Sequence, residues 1–404
     1  MTNASAFALA VLLAAAAWTA VLNAADPPRP RPLDAGQRAA LTRLLNAVDA
    51  AQARDPQHQA PPDDVGWGHD VLKSRNHVAY VPFRMMLGDR ANTLKVAAMY
   101  VRAVSRRDGF RASEEHSTIR DWLTRGGGDR PPPRQETVFV GPGELPVGGP
   151  AMSSGRQSVR APAEAAALLA LQQRELERQR AAEQAQKKQE TQERDPYLFP
   201  FEAYYFFDLK SPAVERALSV PPGDYDVFVA LIDCARARTA EPTIIRRTIT
   251  VPDFWNDRLG LSSLILVSEV NTLKAPLPLE RQIERPYALG RAEVVPVRTA
   301  AFTPHDVLSV VFQMFNFGAP DADLAVDYAF YQHAEGARQL FNRTPTQELT
   351  DADLPPMSPW ETQAFVSQAV PLTPFPPGAY ELEVNVRDRL TRATAKQSVR
   401  FSVE

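Results

Sequence analysis

Val220–Asp233 reads VPPGDYDVFVALID, and Phe375–Asp388 reads FPPGAYELEVNVRD. Both stretches set Pro-Pro-Gly ahead of a Tyr, follow it with alternating side chains, and place an Asp eight positions after the Tyr. Pro fixes φ and Gly supplies positive φ, so each copy predicts a type II turn opening into a strand. In the second copy Tyr380, Leu382, Val384 and Val386 share one side, and Glu381, Glu383, Asn385 and Arg387 share the other. That is the pattern of a strand with one wet face. In the first copy Tyr225, Val227, Val229 and Leu231 point inward, yet Phe228, Ala230 and Ile232 make the outer face apolar too. That outer face needs a cover: the N-terminal helix, the connection between the halves, or the second module. The Tyr is expected to place its ring in the core and its hydroxyl back on the preceding corner. The Asp is expected to close the next turn through its own backbone rather than hold a metal.

The repeat predicts a mainly β chain with two Ig-like β-sandwich modules. Upstream, Leu41, Leu44, Leu45 and Val48 form one helical stripe, with Asp34 as its cap. Residues 78–86 and 94–104 read as two strands forming an antiparallel hairpin, with a bulge at Pro82 to explain a change of parity. From Arg107 the pattern stops. Residues 162–195 are rich in helix formers but polar beyond Leu176. Strand patterns resume at Phe201 and close at Val251. Six further strand candidates lie beyond Arg291, spaced by turn signals as in a sandwich. The resulting division is 1–25 leader; 26–76 tether and helix; 77–110 with 196–252 the first sandwich, split by a low-complexity insertion at 111–195; 253–290 a linker; 291–404 the second sandwich.

A chain of 404 residues with 44% hydrophobic content supports real cores, and its 36 Pro suit turns and strand edges. A net charge of −3 leaves no basic footprint for nucleic acid. Residues Ala6–Leu22 are apolar, and Ala24 or Ala25 suits a cleavage site. This predicts a signal peptide and a periplasmic or extracellular protein; the alternative is an uncleaved anchor, short for a bilayer span. Cys234 is the single cysteine, so no internal disulfide forms.

FVSQAVPLTPFPPGAYELEVNVRD together with the closing SVRFSV resembles the C-terminal module of uncharacterised secreted bacterial proteins of the GWxTD type. GWGHD at Gly66–Asp70 lacks the Thr of that signature. The resemblance covers about a third of the chain, and it implies secretion and β-sandwich modules without catalytic residues.

No HExxH, His/Cys cluster or GxSxG elbow occurs, and RGGGDR at Arg125–Arg130 lacks the setting of a phosphate loop. No catalytic, metal or cofactor-binding residue is assigned, and no cofactor is expected. Trp67, Trp122, Trp255 and Trp360 fall in predicted loops, where aromatics either plug the sandwich ends or anchor a partner. The binding candidates are Phe228, Trp255 and Trp360. The expected function is non-catalytic binding of envelope or secreted proteins through the Ig-like modules and the insertion. The rival is a carbohydrate-binding or carbohydrate-processing accessory role, with polysaccharide as partner.

Overall fold

The computed structural model describes residues 32–54, 65–106, 117–126, 199–318, 322–334, 336–354 and 362–404, with Pro131, Gln135, Thr137 and Phe139. The leader expected at 1–25 and the polar stretch at 162–195 lie outside the described residues.

Helix α1 (Ala35–Gln52) starts where Asp34 and Gln37 form a reciprocal capping box. The first sandwich follows: β1 (Gly66–His69), β2 (Leu72–Lys73), β3 (Ala79–Met86), β4 (Val96–Ser105), helix α2 (Thr118–Thr124), β5 (Phe201–Asp208), β6 (Ala213–Val220), β7 (Gly223–Asp233) and β8 (Thr243–Val251). One sheet sets β3 between β1–β2 and β6; the other has the order β5-β4-β7-β8. The second sandwich holds β9 (Gly260–Leu261), β10 (Ile265–Thr272), helix α3 (Leu279–Glu284), β11 (Ala288–Leu289), β12 (Ala292–Pro296), β13 (Ala301–Phe302) and β14 (Val307–Phe315). It continues with β15 (Asp323–Ala334), β16 (Ala337–Arg343), β17 (Gln347–Thr350), β18 (Gln363–Pro371), β19 (Gly378–Asp388) and β20 (Thr394–Val403).

The two sandwiches share one wiring. The pairings β3·β6, β4·β5, β4·β7 and β7·β8 recur as β14·β18, β15·β16, β15·β19 and β19·β20, all antiparallel. The quoted repeat is therefore the same strand, β7 and β19, in two copies of one fold. Its Tyr closes the corner as expected: Tyr225 donates to the Pro221 carbonyl at 2.8 Å, and Tyr380 to the Pro376 carbonyl at 2.7 Å. Asp233 accepts from the Ala235 amide, and Asp388 from the amides of Leu390 and Thr391, so each carboxylate folds its own turn. The turn type differs from the expectation. Gly223 and Gly378 have φ of +151° and +158° and open the strands directly, far from the roughly +80° of a type II turn.

Three readings of the first sandwich need correction. Strands β3 and β4 do not form a hairpin: a 3-10 turn at Gly88–Thr93 carries the chain from one sheet to the other. Nor does Pro82 sit in a bulge, since β3 pairs with β6 without a register shift. Val81, Phe83 and Met85 face the first core while Tyr80 faces the second sandwich, so both sides of β3 are apolar and no parity change occurs. Strands β1 and β2 share one register against β3 and break opposite Pro82. Asp70 donates its amide to the Pro82 carbonyl at 3.0 Å, and proline has no N–H to return the bond. Finally, β1 and β2 belong to the first sandwich although the sequence places 66–73 in the tether, because GWGH has little strand character.

The long excursion leaves after β4 and returns at β5, where Ala103 pairs with Phe201. In the second copy the equivalent strands are joined by Glu335 and Gly336 alone, with Ala334 paired to Ala337. Two residues in one copy thus stand where some ninety residues stand in the other. Residues 253–290 are likewise more than a linker. They supply β9 and β10, with Leu261, Leu264 and Leu266 in the second core.

The two sandwiches meet through equivalent sheets. Leu72, Tyr80 and Ala217 of the first pack against Ile265, Val267 and Val311 of the second, with Phe139 buried among them. Tyr80 donates to the Pro286 carbonyl at 2.6 Å. The fully buried Gln313 accepts from the Lys73 amide and donates to the Lys73 carbonyl and the Gln363 side chain. Ser263 exchanges two further bonds with Val71. These bonds cover the open edge of β2, which removes one exposed pairing edge of the first sandwich. At the far side, β19 keeps its wet face: Arg338 bridges Glu381 and Glu383, and Lys396 reaches Glu383.

Candidate functional site: the cleft between the two N-terminal helices

The cover required for β7 is helix α1. Leu41, Leu44, Leu45 and Val48 pack on Phe228, Ala230 and Ile232. Phe228 is 1% exposed, so it presents no surface to a partner.

Beside this contact runs a buried polar chain. Arg102, 1% exposed on the helical side of β4, donates to Asp49 at 2.7 Å and Gln52 at 2.9 Å of α1, and to the Tyr100 hydroxyl at 2.9 Å. Tyr100 donates to Glu202, which also accepts from Ser117 at the start of α2. The Arg102 Cζ lies 3.9 Å from the centroid of the Phe199 ring, a cation–π contact beside the Nη2 that lacks a hydrogen bond among the described residues. Burial pushes the Glu202 carboxyl up, opposed by the bond from Ser117 and by the charge of Arg102. Burial likewise raises the Tyr100 phenol well above its ordinary value.

Helix α2 falls within the stretch that the sequence reading left without an element. Ser117 caps it by accepting from the Arg120 amide, and Ile119 is buried while Trp122 and Leu123 pack beside it. The Ser117 cap and this i, i+3, i+4 apolar spacing were the available signals. Arg120 pairs with Asp49, so one carboxylate serves two guanidinium groups.

Between α1 and α2 opens a cavity of about 310 Å³ lined by Arg38, Thr42, Leu45, Arg120, Trp122, Leu123, Thr124 and Gly126. The Arg38 guanidinium sits over the Trp122 ring, 5.6 Å from its centroid. The lining carries two cations, an indole, two leucines and two hydroxyls, and no carboxylate, imidazole or thiol.

The remaining sequence candidates lie elsewhere. Trp255 is partly buried against the first core. Its ring is approached by Lys73 at 5.9 Å and His77 at 5.5 Å, and Lys73 is held by Asn316. Asn316 also donates to the Phe254 and Arg258 carbonyls, which clamps this loop to the seam. Trp67 lies in β1, stacked on Phe83 at 4.8 Å, and Trp122 lies in α2, so neither is in a loop. Trp360 lies outside the described residues. Cys234 packs beside α1, and burial raises its thiol to about 11. Among the described residues no group of three or more His, Cys, Asp or Glu is placed to hold a metal, and no helix is long and apolar enough to cross a membrane.

No family model matches this sequence, and no curated protein matches it. Among solved structures, a Bacteroides uniformis beta-glucuronidase aligns over 81% of this chain and 26% of its own at 9% identity, with a TM-score of 0.24. The E. coli alpha-2-macroglobulin aligns over 84% of this chain and 17% of its own at 12% identity, with a TM-score of 0.19. The C-terminal domain of the Streptococcus agalactiae AgI/II polypeptide BspA aligns over 83% of this chain and all of its own at 9% identity, with a TM-score of 0.17. The chain spans about a quarter of the glucuronidase it is similar to. Likeness at these scores carries no argument about function.

Proposed function

We propose that this chain is a non-catalytic, exported binding protein whose two Ig-like sandwiches form one body and offer the α1–α2 cleft to another envelope or secreted protein. The strand order shared by the two copies, with a tyrosine corner in each, supports the Ig-like assignment. The apolar leader at Ala6–Leu22 supports export. The C-terminal motif supports kinship of the second sandwich with the GWxTD type.

The observation that carries the reading is the cleft itself. An indole and two arginines converge there on the one side of the first sandwich built from helices, and residue types of this kind dominate protein recognition sites. The lining holds no carboxylate, imidazole or thiol that could activate the Thr42 or Thr124 hydroxyl as a nucleophile. Of the aromatics on which a carbohydrate reading would lean, Trp255 has Lys73 and His77 near its ring and Trp360 lies outside the described residues, so the cleft is favoured.

Site-specific photo-cross-linking tests the proposal. A photoreactive residue at Thr42 or Thr124, on the cleft, is expected to yield adducts with one discrete protein in intact cells. A probe at Asn385, on the wet face of β19, is expected not to. Equal labelling from all three positions, or none from the cleft, would contradict the reading.

A further inference from the structure

Two properties of the cleft narrow what it takes. The first is charge. Its cations are Arg38 and Arg120, and no acidic side chain lines it. Arg120 is already paired with Asp49, which also serves Arg102. Arg38 donates through Nε to the Leu33 carbonyl and, among the described residues, has no carboxylate partner. Held by that bond and by the Trp122 face, its planar fork is oriented before any ligand arrives, which suits two-point recognition of a carboxylate. The second property is the wall. Leu45 is buried, while Trp122 and Leu123 are half-buried, so apolar surface stands beside the cation and remains open to a visitor. A volume of about 310 Å³ lies at the small end of ligand cavities and suits side chains rather than a folded element. Thr42, Thr124 and Gly126 are exposed, so the cavity is open to an approaching chain.

From this juxtaposition of a guanidinium that has no carboxylate partner among the described residues with an apolar wall, we infer that the cleft binds an acidic peptide segment of a partner protein, seating an apolar side chain against Trp122 and Leu123 and a neighbouring carboxylate on Arg38. The inference deepens the reading of the cleft as a contact site and rests on it. An uncharged sugar has hydroxyls but no anionic group to pair with Arg38, and a basic segment is repelled by it.

The test is fluorescence anisotropy on the full chain with a dye-labelled hexapeptide that alternates Glu and Leu. Binding is expected to weaken as salt is raised. Unlabelled peptide of the same sequence is expected to compete, and counterparts alternating Gln with Leu or Lys with Leu are not. Arg38→Gln is expected to weaken binding by about tenfold or more, the scale of a lost charge-assisted pair. Arg387→Gln, on the far sandwich, is expected to leave binding unchanged. Equal competition by the Gln–Leu peptide overturns the inference without using any variant, so a folding defect in Arg38→Gln cannot mask the result. Absence of binding by the Glu–Leu peptide overturns it as well. Protein adducts at Thr42 or Thr124 without peptide binding would overturn the acidic chemistry alone; loss of both would overturn the contact site too.

Discussion

Asp70 shows how one residue ties the sequence to the assembly. Its amide bonds to Pro82 within the first sandwich, and its carboxylate accepts from the Tyr287 hydroxyl of the second at 2.9 Å. Burial raises its carboxyl from 3.8 to about 6, while the Tyr287 bond and the Arg84 charge pull the other way. Arg84 is itself committed to Glu215 and to the Pro296 and Val297 carbonyls, and neighbouring His69 is held toward its neutral form by burial. The folded chain therefore binds more protons at Asp70 than the unfolded chain between about pH 4 and pH 6. This contribution to stability is greatest below the window, falls as pH rises through it, and stays lost above it. Asp70→Asn can still accept from Tyr287, and it abolishes the titration. Near pH 8 the variant is expected to exceed the natural chain in stability, by something on the order of 2 kcal/mol once the part of the carboxyl that reaches water is allowed for. Denaturant unfolding at several pH values checks this, and parallel profiles for the two chains would contradict it. At this scale the sequence was most legible where a residue acts through its own backbone. Tyr225, Tyr380, Asp233 and Asp388 all do what their spacing implies. Asp70 was not legible, because its environment is made by Tyr287 from a distant part of the chain.

At the scale of elements, the apolar outer face of β7 announced a missing layer, and α1 supplies it. Leu44 is fully buried between the helix and the sheet. Leu44→Ala is expected to cost about 2–5 kcal/mol, as other large-to-small core changes do. It should also weaken the packing around Phe228. Thermal melting and limited proteolysis near α1 check this; a variant as stable and as resistant as the natural chain would contradict the cover. The stripe was readable because a helix buries one face at a period that composition cannot hide. Connections were less readable. The β3–β4 link looks like a hairpin because both flanks are apolar and a turn cluster lies between them. Whether such a link pairs its strands or crosses between sheets depends on what else pairs with each, and here β6 and β7 decide it. Strand β6 escaped notice for a related reason. In AVERALSV, Glu215 and Arg216 interrupt the alternation; Arg84, which pairs with Glu215, lies far off in the sequence, and Arg216 is set over the Phe207 ring of β5.

At the scale of the whole molecule, two copies of one wiring have been joined through the same sheet of each. Apolar side chains on the outer faces of β3 and β10 make sense only when both sheets are present, and the seam network of Gln313, Lys73 and Ser263 has no role in an isolated sandwich. The repeat in the sequence revealed the duplication but not the joining. A strand covered on both sides reads the same whatever covers it, as β3 and β7 illustrate with a sandwich over one and a helix over the other. The joining leaves the helical side of the first sandwich and the charged face of the second exposed, and among the described residues the former carries the cleft where an indole and arginines converge. If the seam is a true core, the sandwiches cannot unfold separately. Scanning calorimetry of the full chain, alongside Val267→Asp in the seam, tests this most directly. A single cooperative transition is expected for the natural chain, with calorimetric and van't Hoff enthalpies in agreement. Val267→Asp, which sets a charge among buried apolar groups, is expected to split it into two. Two resolved transitions in the natural chain, with Val267→Asp shifting only one of them, would contradict the joining.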